Sequence, residues 1–313
     1  MKKLSLLIMT LIAVLVIAAC GNKTSDSNGT KKGETVTIKH ASETTDVPKN
    51  PKKVVVLNYG ILDTLDKLGL SDRVVGLPKQ PLPNYLKKYN DKKYESVGSL
   101  KEIDFEKLKE LDPDLIIIEP RQSEQFEEFK EIAPTINIQV DQKNYMESFK
   151  ENTEKIGKIF DKEDAVKDAL AKIDAQVKNV NKLAKEKGGK GLVVLTSDKQ
   201  ISAFGSGSRF GLVHDVLGVA PADQNIEASL HGKSVTSEYI SEKNPDYLFV
   251  IDRSAAIGEK GSAKEVIENQ MVKSTNAYKN GHITYLDPGY WYLSGGGLES
   301  VAEMTNEIEK GLK

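Results

Sequence analysis

Apolar residues along this chain fall into two rhythms. Short unbroken runs appear as "KKVVVLN", "RVVGL", "DLIIIE" and "INIQV" in the first half, and as "GLVVLTS", "DYLFVID" and "HITYLD" in the second. Between them lie segments with helical spacing: "GILDTLDKLGL", "DFEKLKEL", "SEQFEEFKEIA", "SRFGLVHDVLGV" and "SEYISEKN". Buried runs of Val, Ile and Leu separated by amphipathic helices predict mostly parallel sheets covered on both faces. The chain therefore reads as two α/β lobes of Rossmann-like type.

The two halves also repeat in detail. Residues 103–121 align without a gap on residues 235–253, matching Glu106 with Glu238, Pro113 and Asp114 with Pro245 and Asp246, and Arg121 with Arg253. Turn grammar accounts for Pro-Asp ahead of each strand. It does not require an arginine after each.

Between the halves, Phe149, Ile156, Ile159, Phe160, Val166, Leu170, Ile173, Val177, Val180 and Leu183 form one helical stripe. Two helices are expected, with Asp161 capping the second and Gly188-Gly189 ending it. At 1.5 Å per residue the second would run roughly 38 Å, enough to cross behind two adjacent lobes. The expected division is residues 1–19 as a signal peptide, 20–34 as a tether, 35–160 as the first lobe, 161–188 as a spine helix and 189–313 as the second lobe. The ligand cleft falls between the lobes, and closure on ligand should be small.

The N-terminus changes where such a protein would work. "MKKLSLLIMTLIAVLVIAAC" has the form of a secretory signal. Ile17, Ala18, Ala19, Cys20 and Gly21 resemble a bacterial lipobox, whose cysteine is diacylated; two acyl chains anchor a protein stably. Cys20 is the only cysteine, so lipidation leaves no thiol for a disulfide or a nucleophile. The polar stretch that follows is too poor in apolar surface to order itself. A net charge of −2 supplies no basic field for nucleic acid.

Candidate chemistry rests on arginine, which occurs only at positions 73, 121, 209 and 253. Ligands in open α/β sheets bind outside the carboxyl ends of the strands, where Arg121 and Arg253 lie. Arg209 sits in the loop "FGSGSRFG", whose glycines permit tight turns but lack dinucleotide-fingerprint spacing. "SLHGKS" contains His231 and lacks the first P-loop glycine. "DPGYWYLSGGGLES" places Tyr290, Trp291 and Tyr292 at another strand's carboxyl end. Guanidinium groups with aromatic neighbours suit a flat polyanion. Three charge-assisted contacts at ~1.5–3 kcal/mol each fall short of the about 12 kcal/mol of nanomolar binding, so desolvated aromatic surface must supply the rest. His40, His214 and His282 show no ligand spacing. The sequence holds no G-x-S-x-G elbow and no H-E-x-x-H, and no feature points to an enzyme.

The lipobox, doubled lobes, spine helix, "SRFGLVHDVLG", "LHGKS", "NPDYLFVIDR" and "WYLSGGGLES" together resemble the siderophore-binding lipoproteins of Gram-positive ABC importers, most closely those taking catecholate or petrobactin-type ferric siderophores. The resemblance covers essentially the whole mature chain. It implies a monomer anchored at the extracellular face of the cell membrane, passing ferric siderophore to an ABC permease with a cytoplasmic ATPase. It further implies that Arg121, Arg209 and Arg253 neutralise a complex of about three negative charges, with Trp291, Tyr292, His231 and Tyr59 in the same binding set. His231 and Tyr292 are the matching positions for direct iron ligands, and Glu106 and Glu238 for residues that dock onto the permease. No resident cofactor is expected, the iron complex being cargo. Haem or a ferric hydroxamate is the alternative cargo for the same fold.

Overall fold

The computed structural model describes residues 33–313 except residue 262, so the signal, Cys20 and nearly all of the tether lie outside the described residues. Residues 34–313 form one compact unit. Its N-terminal end is an antiparallel hairpin of β1 (Thr35–Lys39) and β2 (Thr44–Pro48), which the hydrophobic runs do not predict.

The first lobe is built on a parallel sheet of β3 (Val54–Val56), β4 (Val74–Leu77), β5 (Glu95–Ser96), β6 (Leu115–Ile118) and β7 (Thr135–Asn137), ordered β5-β4-β3-β6-β7. Every residue of β3, β6 and β7 is buried, as expected for strands covered on both faces. The second lobe carries β8 (Lys190–Ser197), β9 (Gln200–Phe204), β10 (Ala220–Pro221), β11 (Lys233–Val235), β12 (Tyr247–Asp252) and β13 (Ile283–Leu286). Here β8, β12 and β13 pair in parallel, but β9 runs antiparallel to both β8 and β11, making the sheet mixed. Asp198, with φ 53°, turns β8 into β9.

Helix α1 (Tyr59–Lys67) follows β3 and α2 (Phe105–Leu111) precedes β6. The expected interlobe pair is α3 (Tyr145–Phe160) and α4 (Glu163–Lys187). Asp161 does not cap α4. It ends α3 in the left-handed region at φ 51° and turns its carboxylate back to Lys49, 2.8 Å away, and to the Asn50 amide. Lys162 holds the cap position of α4 instead. Val166, Leu170, Ile173, Val180 and Ala184 bury the inner stripe of α4 in a core that runs continuously through both lobes. The helix α5 (Ser237–Lys243) precedes β12, and the terminal helix α6 (Leu298–Leu312) packs on both α4 and α1. The last element of the second half thus reaches into the first lobe.

The internal repeat has a local cause in each copy. Asp104 and Thr236 cap α2 and α5 by accepting from Lys107 N and Tyr239 N. Asp112 and Asn244 end those helices in the left-handed region, at φ 47° and 42°. Asp114 and Asp246 then accept from the backbone of a neighbouring strand's start, Lys53 N at 2.9 Å and Lys190 N at 2.8 Å. Each copy sets the entry of its strand and so the exit where arginine stands.

Candidate ligand-binding cleft

Outside the carboxyl ends of β6 and β7 the lobes enclose a hollow of about 220 Å³, walled by Glu119, Arg121, Gln142 and Tyr145 on one side and by Arg209, Trp291 and Tyr292 on the other; Arg253 does not line it and stands behind Tyr292. A pocket that swallows a drug-sized ligand has roughly 300–1,000 Å³, so a larger ligand here would sit at the mouth. The centre of the second wall is Tyr292. Arg209 stacks on its ring with the guanidinium carbon 4.2 Å from the centroid and donates Nη2 to the Tyr292 carbonyl at 2.7 Å. Arg253 donates Nε to the Tyr292 hydroxyl at 3.0 Å and Nη1 to Ser197 at 3.1 Å. Neither guanidinium has a carboxylate within salt-bridge distance among the described residues, whereas Arg121 lies 2.8 Å from Glu119.

These contacts leave an electrostatic signature. Burial pushes the Tyr292 phenol up, but the Arg253 hydrogen bond and the charges of Arg209 and Arg253 outweigh it and hold the group below its ordinary value. Burial lowers Arg209, and Tyr292 opposes that shift. Glu119 is raised by burial against the pull of Arg121 and then Arg209. The second lobe therefore presents two cations with only neutral partners, and the first presents a cation beside its own anion.

The remaining predicted residues separate. Trp291 is 3% exposed, lines the hollow and donates Nε1 to Glu307 at 2.7 Å. Tyr290 packs on Tyr85 with ring centroids 4.5 Å apart, leaving Tyr292 as the tyrosine that faces the arginines. Tyr59 is 1% exposed and donates its hydroxyl to the Pro78 carbonyl at 2.9 Å, so it is a core residue of α1 and not part of the cleft wall. His231 is exposed beside Leu230, which does line the hollow; no hydrogen bond or ring contact joins it to Tyr292. His40, His214 and His282 hydrogen-bond to Thr45, the Val219 carbonyl and the Asp246 carbonyl. Glu106 and Glu238 are exposed in the first turns of α2 and α5. A larger hollow of about 850 Å³ lies beside Glu238, walled by residues such as Val266 and Met271, and no arginine lines it.

Three elements of the cleft escaped sequence reasoning. Gln142 and Tyr145 follow β7, and the rule that ligands gather at strand carboxyl ends, applied to "INIQV" as it was to "LIIIE", would have flagged them. Asp63 is a carboxylate on α1 with no exposure, accepting from Glu299 N and Ser300 N at 2.7 Å each and from the Tyr85 hydroxyl at 3.0 Å. It caps α6 from the opposite lobe. The Tyr85 oxygen also lies 2.7 Å from the Ser294 hydroxyl, so the arch from Tyr292 to Gly297 is pinned to the first lobe. The signal was an aspartate on the apolar face of "GILDTLDKLGL".

Two α/β lobes, a long helix packed along their shared core and a charged cleft at the strand ends are the architecture of a two-lobed binding protein. The chain belongs to the periplasmic binding protein family, which matches residues 54–290. It is 60% identical over the full length of both chains to the petrobactin-binding protein YclQ of Bacillus subtilis (strain 168). The crystal structure of that protein superposes with a TM-score of 0.88, covering 90% of this chain and 99% of that one at 62% identity. The ferric-anguibactin-binding protein FatB of Vibrio anguillarum is 33% identical over 96% of this chain and 94% of its own. The catecholate-siderophore binding protein VctP of Vibrio cholerae matches with a TM-score of 0.82 at 36% identity, covering 88% of this chain and 100% of that one.

Proposed function

We propose that the protein captures a ferric siderophore of catecholate or mixed catecholate–citrate type, petrobactin among them, and delivers it to an ABC permease for iron uptake. The observation that carries this reading is the pair Arg209 and Arg253 converging on Tyr292 without a carboxylate partner among the described residues. A desolvated Arg209 beside a half-buried Arg253, both with only neutral partners, is costly unless an anion arrives. A ferric complex of about three negative charges meets that need together with Arg121. A neutral ferric hydroxamate leaves the cations unmatched. The similarity to a petrobactin-binding protein and a catecholate-siderophore-binding protein supports the same cargo.

In this reading the protein is a binding component with no catalytic step and no resident cofactor. Tyr292, whose phenol lies below its ordinary value, is better suited than exposed His231 to complete the iron's coordination where the siderophore leaves a position open. Glu106 and Glu238, one on each lobe, dock onto permease arginines. A diacylated Cys20 holds a monomer at the extracellular face of the cell membrane; among the described residues no helix is long and apolar enough to cross it.

The test is a titration of the purified protein with ferric catecholates, petrobactin, ferric hydroxamate and haem, read by quenching of Trp291, the sole tryptophan. Ferric catecholates or ferric petrobactin should quench strongly, and Arg121→Ala, Arg209→Ala and Arg253→Ala should each weaken binding by about ten- to a hundredfold, at ~1.4 kcal/mol per tenfold. Quenching by haem or ferric hydroxamate alone sinks the proposal.

A further inference from the structure

Besides Glu119 Oε1, which has the Arg121 ion pair, the first lobe's wall of the cleft contains two buried polar atoms that the fold leaves unanswered. The Tyr145 hydroxyl and the Gln142 Oε1 are both buried, and neither has a hydrogen-bond partner among the described residues. Both residues line the hollow that Arg121 and Arg209 also line. Tyr145 is 7% exposed, and burial pushes its phenol up, so it stands as a neutral O–H donor. Gln142 offers an acceptor. The same hollow is also lined by apolar Ile138, Val140 and Leu293 and by polar Asn58 and Asn152. The arch crosses closely here: a Cβ added at Gly295 would lie 3.5 Å from the Tyr145 hydroxyl, and one at Gly296, where φ is 108°, would strike Val140 at 2.6 Å. Buried polar atoms in folded proteins are almost always paired, so unpaired ones on residues that line a cleft call for a group the ligand brings.

We propose that Tyr145 and Gln142 form a neutral hydrogen-bonding subsite that reads a secondary amide of the bound complex, its carbonyl accepting from Tyr145 and its N–H donating to Gln142. This rests on the siderophore reading and refines it. The anionic oxygens around iron belong against the arginines of the opposite wall. A phenol and a carboxamide match no full charge, and they are complementary to a group that accepts and donates at once. The amide linking a chelating ring to its scaffold is such a group. The subsite thereby selects ferric complexes by their linkage, where the arginines select by charge.

The experiment compares two ferric complexes of equal charge, formed in excess ligand from plain catechol and from an N-alkyl dihydroxybenzamide. The full-length protein should bind the amide complex about tenfold or more tightly than the catechol complex. Tyr145→Phe and Gln142→Leu should each erase most of that preference by weakening the amide complex far more than the catechol complex. Because Tyr145→Phe deletes a hydroxyl without a partner, its ligand-free melting temperature should stay level or rise. A preference that survives both substitutions, its absence from the unaltered protein, or a fall in the melting temperature of Tyr145→Phe overturns the inference. If both complexes bind and only the preference is missing, the siderophore reading stands; if neither complex binds, both fall.

Discussion

Replacing Asp63 by alanine should cost about 3 kcal/mol of stability and loosen the ligand arch together with it. The carboxylate satisfies three buried donors, Glu299 N, Ser300 N and the Tyr85 hydroxyl. Leaving each unpaired costs ~1–3 kcal/mol, which sets a range of roughly 3–9 kcal/mol. Two effects pull toward its lower end. Water enters the space vacated by the side chain, and removing the ion recovers its own desolvation. That desolvation is substantial, since burial pushes the carboxyl from 3.8 up to about 6, against the hydrogen bonds from Glu299, Ser300 and Tyr85. A folded-state value above the unfolded one means that the native protein holds this proton longer. The contribution is therefore full below about pH 4 and declines as pH rises through about 6. Urea unfolding of the two proteins across that window is the assay, with unchanged m-values as the sign of a pure stability effect. A loss under ~1 kcal/mol at neutral pH, or a variant that keeps the unaltered protein's slope between pH 4 and 6, would refute the argument.

Ligand-free protein titrated with alkali should show one phenol ionising ahead of the others by phenolate absorbance. That early step should vanish in Tyr292→Phe and move upward in Arg253→Ala, because Arg253 supplies the largest opposing contribution to burial. An early step that ignores both changes would place the perturbed phenol elsewhere. The combined change Glu106→Ala and Glu238→Ala should leave siderophore affinity intact while abolishing iron uptake by cells, and uptake at the normal rate would remove the docking role. Gly297→Ala should destabilise by ~1–3 kcal/mol, since its Cβ would lie 2.4 Å from the Asp63 carboxylate and 2.5 Å from the Gly60 carbonyl; a neutral result in the same urea assay would contradict that packing.

What could be read from the sequence was whatever a hydrophobic period or a repeat makes visible. The runs that became β3, β6, β8 and β12 are long and apolar because both faces of each strand are covered. The strand-end arginines stood out because the preceding residues recur at a fixed offset. β9 was missed because "QISAF" is a short alternation within a polar stretch, and β1 and β2 because hairpins at a sheet's margin bury one side only. Asp161 was misassigned because aspartate is equally apt as a helix cap and as a left-handed turn residue; the choice was made by Lys49 and Asn50, far away in the chain. Tyr59 was misread for a related reason, since a tyrosine after a strand end meets either solvent or core, and here the Pro78 carbonyl draws it inward.

The two copies of the strand-end motif have diverged in the way their cations are balanced, and this gives the cleft a direction. In the first lobe Arg121 keeps Glu119 at 2.8 Å, so that pair brings little net charge, and the rest of its wall carries no charged side chain. In the second lobe Arg253 and Arg209 share only the neutral Tyr292 and Ser197, so the positive potential is concentrated there. An anionic metal centre would then seat against the second lobe while its neutral linkages turn toward the first. The Asp63 cap is what keeps these two walls in register, because it joins α1 of one lobe to the start of α6 and, through Tyr85 and Ser294, to the arch that carries Tyr292. On the proposed reading, charge recognition and linkage recognition fall on opposite lobes. An Arg253→Ala change should weaken both ferric complexes alike, whereas Tyr145→Phe should weaken chiefly the amide complex and so bring the two affinities together.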